Sequence, residues 1–188
     1  MSISCRIRIP RSRIGVLIGK QGETKTEIES LAGVDIQVDS DDGSIVILST
    51  ENTIDPTYVW KARDIIKAIG KGFNADKAFY LIEDSTFLET IQLEGSKNNI
   101  QRLKSRLIGE KGKARSMIET GTDTYISIFG SHISIIGEIA EIRSAREAID
   151  MLIRGSKHGT VYRLLEQKRF KLKQDPMRIW KDPPPKDN

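Results

Sequence analysis

The sequence predicts an α+β protein made of two copies of one unit, each ordered strand, helix, helix, strand, strand, helix, with a further helix at the C-terminus. Three observations carry that prediction. "LIGKQGETKTEIESLAGVDIQV" from Leu17 and "LIGEKGKARSMIETGTDTYISI" from Leu107 align without a gap at a constant offset of 90, and self-similarity at a fixed period marks a repeated structural unit. Period-2 alternation gives way to helical spacing at matching places in both copies. Glycines stand at the ends of the helical stretches, where a positive φ is often required.

In the first copy, "SCRIRIP" alternates apolar and basic residues, the pattern of a half-buried strand, and Pro10 ends it. "RSRIGVLIG" sets Ile14, Leu17 and Ile18 at helical spacing and closes on Gly19. A second helix is predicted from just after Gly22 to Leu31, stopped by Gly33. "VDIQV" and "IVIL" flank the turn "DDGS" and read as a hairpin. Tyr58 to Ile69 is amphipathic at helical period and ends at Gly70. The second copy opens with the strand "LETIQLEG", and its first helix, Asn98 to Ile108, is longer. "SIVIL" is answered by "HISII" from His132, and "KARDIIKAI" by "SAREAIDML" from Ser144. "NADKAFYLIED" reads as a short connecting helix and "TVYRLLEQKRFKLK" as a basic terminal helix, with Val161, Leu164, Leu165 and Lys168 at helical spacing. "PMRIWKDPPPKDN" is a Pro-rich tail expected to fray. The divisions expected are 1–74 for the first unit, 75–155 for the second with its connecting helix, and 156–188 for the terminal helix and tail.

Composition narrows the class. The 188 residues are 38% hydrophobic and 30% charged, as in a soluble globular protein. No apolar run reaches the roughly 18–20 residues that span a bilayer, and "MSISCRIRIP" lacks the apolar stretch of a signal peptide. Cys5 is the single cysteine, which removes disulfide frameworks and cysteine-based zinc sites and makes a cytoplasmic location the expectation. The net charge of +4 is unevenly spread. Residues 154–188 hold ten Lys/Arg against four Asp/Glu, whereas the rest holds 20 against 22. Within that body, Arg6, Arg8, Arg11, Arg13, Lys20 and Lys25 face only Glu23 over residues 5–25. Arg102, Lys104, Arg106, Lys111, Lys113 and Arg115 face only Glu110 over residues 102–115. Local basic clusters on a slightly acidic body are the footprint of a polyanion partner.

The glycine loops decide which polyanion. A P-loop needs four residues between its glycines followed by Lys-Ser/Thr, and a dinucleotide loop follows a strand. Here two residues separate Gly19 from Gly22, Glu23-Thr24 follow, and the loop joins two helices. A nucleotide cofactor is excluded on spacing and context, and no cofactor is expected. A two-residue gap at a helix–helix corner lets an extended backbone approach closely, with N–H groups and the positive end of the next helix facing its phosphates. The residues assigned to this role are Gly19, Lys20, Gln21, Gly22 and Lys25 in the first copy, and Gly109, Glu110, Lys111, Gly112, Lys113 and Arg115 in the second. Ile18 with Ile36, and Ile108 with Ile126, are expected to line an apolar groove where unpaired bases lie while strand-edge backbone groups read them, a design suited to single strands.

A repeated I-G-x-x-G core inside this element order resembles the type I KH domain, with "LIGKQGETKTEI" and "LIGEKGKARSMI" in the motif's place. The resemblance implies two tandem KH domains, each a three-stranded antiparallel sheet packed by three helices, with the GxxG loop clamping backbone nucleotides. Many KH motifs have an aliphatic residue where this chain has Lys25 and Arg115, read here as extra phosphate contacts. Glu110 places an acid inside the second loop, which Lys111 and Lys113 offset. The whole chain, through "GEKGKARSMIE", "TYISI" and "GSKHGTVYRLLE", further resembles the archaeal form of the Partner-of-Nob family of small ribosomal subunit assembly, a form that lacks the long N-terminal extension of its eukaryotic counterparts. That resemblance implies binding to single-stranded small-subunit ribosomal RNA near its 3′ end, beside the Nob endonuclease, and contact with the alpha subunit of translation initiation factor two.

Catalysis is not expected. His132 and His158 are read as structural or surface residues, His158 within reach of a phosphate. Glu27, Glu29, Asp35, Asp39, Asp41 and Asp42 alternate with apolar residues as solvent faces rather than as a metal site. Tyr58, Trp60 and Phe73 are expected in the core or between the repeats. Trp180 is assigned no role. The competing function is a protein-interaction adaptor, or a general single-stranded nucleic-acid-binding protein of mRNA or translation, using only one loop.

Overall fold

The alternating segments pair into two three-stranded antiparallel sheets, as the computed structural model shows for residues 3–53 and 55–174. The first unit contains β1 (Ser4–Arg8), α1 (Arg11–Ile18), α2 (Glu23–Ala32), β2 (Val34–Val38), β3 (Ser44–Ser49) and α3 (Thr57–Gly70). A short helix α4 (Ala75–Phe79), capped by the Asn74 side chain, and a 3-10 turn over Tyr80–Ile82 lead to the second unit. That unit contains β4 (Phe87–Gln92), α5 (Lys97–Ile108), α6 (Lys113–Thr122), β5 (Tyr125–Phe129), β6 (His132–Gly137) and α7 (Ile139–Ile153), and α8 (His158–Gln174) follows. The readings of Trp180 and the Pro-rich tail lie outside the described residues.

Strand order is β1-β3-β2 in one sheet and β4-β6-β5 in the other, so β2 and β5 are edge strands. In the first unit Ile36 pairs with Ile47 and Val38 with Ile45. The inward residues of β2 and β3 meet Leu17, Ile28, Ile65 and Ile69 from the helices, all buried. Each such side chain contributes about 1.5–3 kcal/mol by leaving water. The second core repeats the plan with Leu107, Ile118, Ile133, Ile135, Ile149 and Leu152, and α8 closes it with Val161 and Leu165. Gly121 of α6 lets α8 approach: a Cβ there would stand 3.2 Å from the Leu165 side chain. Gly33 stops α2 at φ 62, and Asp123 does the same for α6 at φ 56, a left-handed position that Asp tolerates better than most residues.

The units are packed together. Strand β6 is buried from Ile133 to Gly137 without a break, whereas β3 alternates. One face of β6 covers its own helices, and Ile136 on the other joins the core of the first unit, with Leu88 and Tyr125 against it. The Ser127 hydroxyl donates to the Lys71 carbonyl at 3.0 Å, and the rings of Tyr80 and Tyr125 lie 5.1 Å apart.

Trp60 departs from its expected place. Phe73 is buried and Tyr58 half-buried, but Trp60 is 44% exposed with the Arg63 guanidinium 4.9 Å from its ring. Val59, Ala62, Ile66 and Ile69 define the buried face of α3, and Trp60 lies a helical step off it.

Candidate nucleic-acid interface

Each loop begins where the first helix of its unit stops. Gly19 has φ 75 and ψ −177, and Gly109 has φ 71 and ψ −178. Gln21 and Lys111 follow at φ 55 and φ 50, then Gly22 and Gly112 at φ 85 and φ 80. The two loops share one backbone conformation to within a few degrees. The first glycine of each is required sterically, since a Cβ on Gly19 would meet the Thr24 Oγ1 at 2.3 Å and one on Gly109 the Ala114 Cβ at 2.6 Å. The second glycine faces open space. It supplies the left-handed turn and leaves the backbone bare to an approaching chain.

Lys20, Gln21, Glu110, Lys111, Lys113 and Arg115 are exposed. Lys20, Lys111 and Lys113 have no carboxylate partner among the described residues. Each loop carries one acid, but in different places: Glu23 opens α2, whereas Glu110 sits in the second loop and Lys113 opens α6. The N-terminal end of α6 is therefore more positive than that of α2.

Three expectations change. Ile18 and Ile108 are half-buried at the helix ends, but Ile36 and Ile126 are 1% and 4% exposed, with side chains inside the cores. Only their backbone reaches the strand edge, because alternate residues of β2 and β5 face the helices. That edge is already engaged: the Ile36 N–H donates to Glu29 Oε1 and the Ile126 N–H to Glu119 Oε1, both at 2.8 Å. Lys25 pairs with Glu29 at 2.9 Å and Arg115 with Glu119 at 3.6 Å, so both cations hold a carboxylate one turn on. Lys25, 31% exposed, is the less free of the two.

Not every cation of the basic clusters faces outward. Arg13 donates from Nε to the Ile69 carbonyl at 2.8 Å and from Nη2 to the Phe73 carbonyl. Arg106 donates to the Leu152 carbonyl at 2.9 Å and to the Ser156 carbonyl. Each arginine ties its helix to carbonyls at and just past the end of its unit's third helix, two of which, those of Ile69 and Leu152, also accept the N–H of Gly72 and Gly155. The His158 ring lies 3.0 Å from the Arg106 carbonyl, against its own unit rather than toward a phosphate. Among the described residues no three His, Cys, Asp or Glu stand close enough to hold a metal ion.

Comparison with known proteins agrees with this architecture. Residues 10–84 match the family model of the Krr1 KH1 domain, and residues 85–170 that of the eukaryotic type KH-domain, type I. The KH domain-containing protein MJ0443 of Methanocaldococcus jannaschii is 44% identical over 178 residues, 93% of this chain and 78% of that protein. A chain of the crystal structure of the a/eIF2alpha–aDim2p–rRNA complex from Pyrococcus horikoshii OT3 superposes with a TM-score of 0.87 at 42% identity, over 92% of this chain and 97% of that one. The chain belongs to the archaeal PNO1/Dim2 family of KH-domain proteins. Within that family, the pre-rRNA-processing protein PNO1 of Debaryomyces hansenii is 34% identical over 70% of this chain. The chain spans about half the length of that PNO1 relative (53%).

Proposed function

We propose that this PNO1/Dim2-family protein is an RNA-binding factor of small-subunit assembly that grips single-stranded ribosomal RNA through its two GxxG loops and assists rRNA processing. The observation that carries the proposal is the pair of loops with one backbone conformation, each with a sterically required glycine and exposed cations that have no carboxylate partner among the described residues. Gly19–Gly22 and Gly109–Gly112 receive phosphates, Lys20, Lys111 and Lys113 neutralise them, and Arg115 and Lys25 contribute less in proportion to their ion pairs. Ile18 and Ile108 offer apolar contact to bases. The edges of β2 and β5 read bases through Glu29 and Glu119, which hold the N–H groups of Ile36 and Ile126. The partners implied are the 3′ region of small-subunit rRNA, the Nob endonuclease and the alpha subunit of translation initiation factor two. The last of these is supported by the P. horikoshii complex. The protein acts by positioning RNA, without chemistry of its own, in the cytoplasm. Its working parts are 1–74, 75–155 and 156–188.

The test is the affinity of K20D/Q21D and of E110D/K111D for an RNA oligonucleotide of the rRNA 3′ end, measured over a range of salt. Counterion release gives a slope of about −0.7 per phosphate contact. Each variant is expected to weaken binding and flatten the slope with an unchanged far-UV CD spectrum. Binding that is weak and salt-independent in wild type and variants alike overturns the proposal.

A further inference from the structure

A cleft of about 650 Å³ lies where the two units meet. One side is the last turns of α3 and the β1–α1 corner, and the other is the β5–β6 turn from Phe129 to His132. Its lining includes Arg8, Arg63, Lys67 and Lys71 and no carboxylate. Asp42 holds Arg8 at 2.6 Å and Asp64 holds Arg63 at 2.8 Å, but Lys67 and Lys71 have no acidic partner among the described residues. Burial, and then the charge of Lys67, push the Lys71 ammonium below its ordinary pKa.

Arg63 and Lys67 on α3 and Lys71 just past its end recur every four residues, so they form one row with a rise of about 6 Å per step. Trp60, exposed beneath Arg63, stands at the start of the row, and Phe129 faces its end. Like charges at this spacing destabilise a helix, and the fold does not ask for them. In the corresponding helix of the second unit, Arg146 pairs with Glu89 and lies 3.9 Å from Asp150, which stands where Lys67 does. The row is thus a property of the first unit and not of the repeated plan. A line of cations with an aromatic ring beside it matches a chain of phosphates with bases to stack, rather than a single small anion.

We propose that this inter-unit cleft is a further RNA-binding site, in which Lys67 and Lys71 take phosphates of a single strand, while Trp60, outside the cleft beyond Arg63, stacks a base where the strand leaves it. The proposal rests on the reading of the second loop as an RNA clamp. Strand β5, whose edge borders that clamp, runs for about 17 Å and turns directly into the cleft, so an RNA strand lying along β5 is delivered there.

The experiment compares wild type, K67Q/K71Q, K67R/K71R and the loop variant E110D/K111D. Each is titrated with a short single-stranded RNA and with the same RNA extended at its 5′ or its 3′ end. One extension is expected to tighten wild-type binding at least tenfold. K67Q/K71Q should lose that gain, with a salt slope shallower by about 1.4 for two lost phosphate contacts, and K67R/K71R should keep it. The short RNA reports on the loop by itself: E110D/K111D weakens it and K67Q/K71Q does not. If neither extension helps wild type, or if K67Q/K71Q binds both extended RNAs as wild type does, the cleft is not an RNA site, whatever the loop variant shows.

Discussion

Glu29 and Glu119 occupy the same place in each unit and do the same thing: a carboxylate oxygen accepts the one strand-edge N–H beside the loop. Removing such an acceptor leaves a donor without its partner, at about 1–3 kcal/mol. E119A is therefore expected to lower the unfolding free energy from urea titration by an amount in that range, whereas K111A, on an exposed side chain, should stay within about 0.5 kcal/mol. The glycines beside them predict a sharper contrast. G19A and G109A must force a Cβ into Thr24 or Ala114 and are expected to fail to fold or to lose several kcal/mol by the same assay. G22A and G112A, with open space around them, should lose only the roughly 1–2 kcal/mol of a left-handed residue. The glycines were legible because spacing exposes them. The glutamates were not, since a hydrogen bond from the Ile36 N–H back to Glu29 crosses a helix end that no periodicity describes, although the offset of 90 carries the pair into both copies. The burial of Ile36 and Ile126 was half legible: alternation put them on one face of a strand, but did not say that this face is the core.

At the scale of elements, the arginines that staple the first helix of each unit to the end of the last are the least expected feature. Arg13 and Arg106 sit five and two residues before the last residue of their helices, Ile18 and Ile108, so they are not aligned by the repeat. They reach corresponding carbonyls from positions about one turn apart, and the longer α5 accommodates the shift. A count of basic residues assigns both to a solvent-facing footprint, because charge patterning carries no information on which side chain turns inward. R13A and R106A are each expected to cost about 1.5–3 kcal/mol, the worth of hydrogen bonds from a charged donor, read as a shift in thermal midpoint. R13K and R106K should recover little, since a single ammonium does not span two carbonyls as a guanidinium fork does. Helix order, strand order and loop positions were legible, because periodicity and glycines mark them. Trp60 was not, since a single aromatic near an amphipathic stripe can fall on either side of its edge.

Over the whole molecule, the decisive element is β6. Ile135 and Ile136 are consecutive apolar residues, so β6 presents one to each face of its sheet, and both are buried. The second face is Ile136 and its neighbours, set into the core of the first unit. I136A is expected to cost about 2–5 kcal/mol, as other buried Ile→Ala changes do. Because the side chain is carried by a strand of the second unit and packed in the core of the first, calorimetry should show both melting earlier, where a change confined to one core, such as I65A, would show first in its own. Among the described residues no helix is long and apolar enough to cross a membrane.

The joint formed by Ile136, Ser127 and the Tyr80–Tyr125 pair sets the distance between the two glycine loops. Two grips on a stiff frame behave differently from two on a string. Once one end of a strand is held, the other grip searches almost no volume, and its effective concentration is high only for a strand that fits the gap. If both loops grip RNA as proposed, the protein acts as a gauge of length: nucleotides inserted between the two gripped segments are expected to weaken binding by lost avidity, though every contact with either loop is kept.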